Sequence, residues 1–288
     1  MGFLKTFLLY GNIYVVVPIL SLFFSTQLIF KGNLEWNSEA AFLLGGSLAL
    51  YPAHRILSVY LTQKPYRLER LKALQNVKLF LLIPVVSGSL LAFSAFLKLD
   101  ELNLFLLVLL MFLSVAYSVP FIQLNGKWWR LRDVPYMKVF VVSLVVVLLT
   151  TYLAVSAEPE LNVHKLILWL LAQFFFILGL TIPFDVRDFD IDSKNGTKTL
   201  PVLFGKELAL KIATASLVFY ELFCFSIYVL FPELPFTYFI VLLLSGFWST
   251  LWLINVKSSS KELFFTWAFE GAIVLQFLLL FAAYTLNQ

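Results

Sequence analysis

Long apolar runs separated by short polar joints dominate the chain. Runs of about 20 apolar residues, the length a helix needs to cross roughly 30 Å of hydrocarbon, lie near 7–30, 40–62, 78–97, 102–124, 134–156, 164–184, 207–230, 235–256 and 262–285. The joints carry Pro, Gly, Asn or charge, where membrane-crossing helices stop. The pattern predicts an all-α integral membrane protein: nine transmembrane helices in a single polytopic membrane domain over residues 1–288. No internal repeat, low-complexity tract or soluble domain interrupts it.

Composition agrees. With 61% hydrophobic and 13% charged residues and a mean hydropathy of +0.90, the chain lies outside the range of soluble domains. The cations give its orientation, because Lys and Arg in short loops stay cytoplasmic. With the N-terminus inside, the inner face receives Lys5, Lys64, Arg67, Arg70, Lys72, Lys78, Lys127, Arg130, Arg132 and Lys138. Arg187, Lys194, Lys198, Lys206, Lys211, Lys257 and Lys261 follow on the same face, while the outer face keeps Lys31, Lys98 and Lys165. Short loops, with neither a cleavable signal pattern nor a targeting tail, suit a bacterial inner membrane.

The net charge of +4 reflects those inner loops. It fits anionic headgroups or a phosphate ligand better than nucleic acid, for which there is no motif. The single cysteine, Cys224, excludes a disulfide framework. The sequon Asn195-Gly196-Thr197 falls on the inner side, where it is ignored.

The densest acidic stretch is FDVRDFDIDSKNGTKTLPVLFG, residues 184–205. Asp185, Asp188 and Asp192 share one face if the sixth helix continues through them, and Asp190 falls off it. Such a face suits Mg²⁺, which takes one or two protein carboxylates and completes its shell with water and phosphate. Arg187, Lys194 and Lys198 stand ready for the remaining phosphate charge. A calcium loop starting at Asp188 fits poorly, with Ser193 where Gly is required and Thr199 where Glu is required. A solvated charged loop is the bland alternative.

Asp185-Val-Arg187-Asp188 with Asp192, Gly196, Lys198-Thr199-Leu200-Pro201-Val202 and Gly205 resembles the second aspartate-rich motif of the UbiA superfamily of intramembrane prenyltransferases. Tyr117-Ser118-Val119-Pro120-Phe121, with Leu131-Arg132, Pro135 and Lys138, resembles that family's connection between the fourth and fifth helices. The resemblance implies a UbiA-like ring of helices around a lipid-open cavity. It implies a polyprenyl (isoprenoid) diphosphate bound through Mg²⁺ at Asp185, Asp188 and Asp192, and transfer of the prenyl group to an apolar or aromatic acceptor. Arg55, Arg132, Lys138, Arg187, Lys194 and Lys198 complete the expected diphosphate site.

The family's first acidic cluster is missing. Residues 48–71 contain no aspartate, and its carboxylate positions fall near Ala53, Ile56 and Tyr60, beside His54 and Arg55. One Mg²⁺ rather than two is then expected. Arg55 either grips the diphosphate or pairs with Asp185 or Asp188 across the ring. A different functional class follows from the same loss: a catalytically degenerate protein of this fold that binds lipid or a protein partner. A transporter finds no support in repeated broken helices. Glu221 and Glu270 lie within predicted spans, to serve packing or to face an acceptor.

Overall fold

The computed structural model describes residues 6–61, 77–118, 122–124, 127–129, 131, 134–156, 158, 160–256 and 262–288. Apolar residues on every side of each segment allow only helices, which pair their backbone groups internally. The long helices are α1 (Val16–Phe30), α2 (Ser38–Leu61), α3 (Leu82–Phe96), α4 (Glu101–Ser118), α5 (Met137–Val155) and α6 (Val163–Arg187). Two short helices follow, α7 (Phe189–Asn195) and α8 (Leu200–Phe204). The chain ends with α9 (Lys206–Leu230), α10 (Phe236–Ile254) and α11 (Leu263–Leu286). Among the described residues six helices are long and apolar enough to cross a membrane, from Ile13–Phe30 through Leu263–Leu286, and α3 and α4 are shorter apolar helices. The protein is a multi-pass integral membrane protein.

Packed neighbours run in the order α3, α2, α1, α11, α10, α9, α6, α5 and α4, so the first long helix seals against the last. Large side chains such as Leu50, Ile83, Phe93, Phe112 and Trp267 face outward, as lipid requires. Polar staples join helices inside: Trp169 Nε1 donates to Thr26 Oγ1 at 2.9 Å, and the Tyr220 hydroxyl meets Ser245 Oγ at 2.9 Å and Gln276 Nε2 at 2.9 Å.

Two expected spans differ. The run 7–30 is not one helix. A π-turn over Thr6–Tyr10 ends at Gly11, Asn12 takes a left-handed conformation (φ 59°), and a short 3₁₀ turn, Ile13–Val15, leads into α1. Nor does the run 102–124 stay helical to its end. Ile122–Leu124 pairs antiparallel with Lys127–Trp129 in a small hairpin, the exception to the all-α reading.

Helices α2 and α3 touch backbone to backbone. A Cβ at Gly88 would lie 2.6 Å from the Gly45 carbonyl oxygen and 2.8 Å from the Ala49 nitrogen. Small residues permit such close approach in lipid, where packing drives helix association. Gly88→Leu is therefore expected to cost at least about 1–3 kcal/mol through overpacking, read as a fall in the unfolding midpoint in detergent. Gly46→Ala is the control, since its Cβ meets nothing within 4 Å; equal midpoints for the two variants would refute the close crossing.

Candidate functional site

Helix α6 ends where its acids begin. Asp188 leaves helical geometry (φ −86°, ψ 5°), serving both as the C-cap of α6 and as the start of α7. Gly196 closes α7 in a left-handed conformation (φ 71°), and Gly205 (φ 86°) turns the chain into α9. L-residues resist both conformations, which explains the motif's two glycines.

The break at Asp188 corrects the expected single acidic face. Asp185 and Asp192 reach one partner, and the cap residue Asp188 takes another. Asp185 and Asp192 are buried and converge on Lys138, whose Nζ lies 2.6 Å from Asp185 Oδ1 and 3.1 Å from Asp192 Oδ2. Asp188 is held by its neighbour: Arg187 Nε and Nη2 donate to its two oxygens at 3.0 and 3.1 Å. The guanidinium lies over the rings of Phe184 and Phe265, 5.1 and 5.3 Å from their centroids, a double cation–π contact. Among the described residues no three acidic, His or Cys side chains gather closely enough for one ion.

Lys138 owes its position to α5. Tyr136, left-handed at φ 66°, precedes that helix; its N–H donates to the Lys198 carbonyl at 3.3 Å and its ring stacks on Phe204 at 5.6 Å. The first turn of α5 is thus clamped to the segment after the acidic turn. Lys194 and Lys198 are exposed. Arg55, half-buried on α2, donates from Nη2 to Asn12 Oδ1 at 2.9 Å. Arg132 lies outside the described residues.

Beneath the Lys138–Asp185 pair, α1, α2, α4, α5, α6 and α11 enclose a cavity of about 270 Å³. Its polar lining is Asn12, Tyr51, Tyr117, Lys138, Thr181, Asp185 and Glu270, and most of the remaining wall is aliphatic. Glu221 lies elsewhere, with its carboxylate against Gly246 on α10. Sequence reasoning missed Asn12 and Tyr51. The Gly-Asn pair interrupting an apolar run was the available signal for the first.

The carboxylates suit a divalent cation. Asp185 and Asp192 already converge on one positive charge, and Asp185 Oδ2 is buried with no hydrogen-bond partner among the described residues. Mg²⁺ takes one or two such carboxylates plus water and ligand phosphate.

A model of the UbiA prenyltransferase family matches residues 70–269. The chain belongs to the UbiA prenyltransferase family. Solved UbiA structures share its fold. A UbiA homolog from Archaeoglobus fulgidus bound to GPP and Mg²⁺ superposes with a TM-score of 0.66 at 18% identity, over 98% of this chain and 99% of that one. The same homolog bound to DMAPP and Mg²⁺ gives 0.62 at 17% identity, over 98% and 99% of the two chains. An apo UbiA homolog from Aeropyrum pernix K1 gives 0.63 at 14%, over 95% and 97%. No curated protein matches. In this UbiA member, Ala53 and Ile56 on α2 supply no carboxylate where the first acidic cluster is expected, so the described acids of the cavity come from α6 and α11.

Proposed function

We propose that the protein is an intramembrane prenyltransferase. It binds an isoprenoid diphosphate at the acidic turn, on the cytoplasmic side, and passes the prenyl group to an apolar or aromatic acceptor within the cavity. The observation that carries this reading is the convergence of Asp185 and Asp192 on one cation position at the end of an apolar cavity. Lys138 sits there now. Asp185 and Asp192 would hold Mg²⁺, whose charge would offset that gathering on the leaving diphosphate. Lys138, Arg187 and Arg55 then face the phosphate oxygens, Lys194 and Lys198 add positive charge nearby, and the aliphatic walls hold the prenyl chain and exclude water.

One observation favours a second reading. The Lys138 ammonium already fills the space between the two carboxylates, and a protein that lost its first acidic cluster needs no metal if lysine and arginine hold the phosphate. The same fold would then serve as a lipid-binding or partner-binding membrane module.

Unfolding midpoints in detergent with geranyl diphosphate, in Mg²⁺ and then in EDTA, separate the two. A ligand at 100 times its Kd adds about 2.7 kcal/mol to stability. A stabilisation that needs Mg²⁺ is expected. A stabilisation that persists in EDTA and is lost in Arg55→Ala would transfer the case to the metal-free module, and no stabilisation at all would overturn diphosphate binding.

A further inference from the structure

Glu270 has no place in the diphosphate chemistry, yet it lies in the same cavity. It closes a π-turn, Thr266–Glu270, within α11, where the Gly271 N–H reaches back to the Thr266 carbonyl. Such insertions are costly and concentrate at functional sites. The hydroxyls of Tyr14 and Thr266, 3.3 Å apart, lie beside its carboxyl, and Arg55 and Arg187 are near enough to act on it. Its Oε2 is buried and meets no hydrogen-bond partner among the described residues. A buried acceptor without a donor is expensive inside a membrane. That hydrogen bond is left unmade among the described residues.

Resting on the prenyltransferase reading, we infer that Glu270 is the recognition group for the second substrate: a neutral, largely apolar molecule that offers one hydroxyl, as a phenol or alcohol does, to Oε2. The aliphatic walls take the molecule's body. Diphosphate chemistry sits at Lys138 and Asp185, and Glu270, on a different helix of the same cavity wall, leaves the acceptor its own polar anchor.

The test compares 4-hexylphenol with 4-hexylanisole, which has the same apolar body but no O–H, as ligands of the purified full chain in one detergent. Wild type is expected to bind the phenol about tenfold more tightly. Glu270→Leu should abolish the preference, while Glu270→Gln, whose amide oxygen still accepts, should keep part of it. Both variants should keep the Mg²⁺-dependent response to geranyl diphosphate, which confirms their fold. Equal affinity of wild type for the two probes, or a preference that survives Glu270→Leu, overturns the assignment. A preference lost in Glu270→Leu while wild type ignores geranyl diphosphate would uphold the hydroxyl site and sink the diphosphate reading instead.

Discussion

Lys138→Met is expected to destabilise the protein severely in metal-free buffer and to regain much of that loss in Mg²⁺. Asp185 is 2% exposed, and Lys138 offsets its charge and that of Asp192 together. Removing one partner of a buried pair costs about 3–5 kcal/mol, because the other charge stays buried and unpaired. Here two carboxylates would also face each other. The lower end applies, since the Lys138 side chain is itself 26% exposed. Adding Asp185→Asn to Lys138→Met should recover part of the loss without metal, since the more buried of the two charges and its repulsion of Asp192 are gone; additivity of the two changes would show that the pair is not coupled. Equilibrium unfolding with EDTA and with Mg²⁺ reads both effects. A Lys138→Met protein as stable as wild type in EDTA would mean that the carboxylates do not depend on the ammonium.

Asp185→Asn is the variant expected to cost most in transfer. Its carboxylate is the buried one at the cavity wall, with Oδ1 against Lys138 and Oδ2 open. Neutralising it removes a ligand from the cation position and lets Lys138 pair with Asp192 alone. Losing one preorganised electrostatic contact to a developing charge costs about 10²–10³-fold. Prenyl transfer from geranyl diphosphate by the purified variant should fall by that factor while its fold persists. Asp190→Asn, exposed and outside the cavity lining, is the control expected to stay near wild type. If the two variants turned over alike, the acidic turn would not be the reaction centre.

The helices were legible because apolar length is a local property. Seven of the expected spans have an observed helix of similar extent, and α6 runs three residues past its predicted end to Arg187. The two partial failures have local causes. Residues 7–12 are apolar enough to read as part of a span, but Gly11 and Asn12 break the helix, and Asn12 adopts φ 59°. Residues 122–124 continue an apolar run yet pair with 127–129, a backbone choice that hydropathy does not encode.

The acidic motif was legible for the same reason, since its residues are close together in the chain. Its geometry was not, because Asp188 caps α6 and pairs with Arg187, and the partner that Asp185 and Asp192 share lies on another helix. Sequence alone thus determined a helical membrane protein, its family resemblance, the acids at the end of α6 and the absence of aspartate over residues 48–71. Tertiary structure decided that Lys138, 54 residues from Asp192, holds both buried carboxylates. It also decided that Glu270 on α11 shares the cavity with them while Glu221 does not. Hydrophobicity and helix period act over neighbours in the chain, whereas the partner of a charge inside a membrane is chosen by which helices pack together.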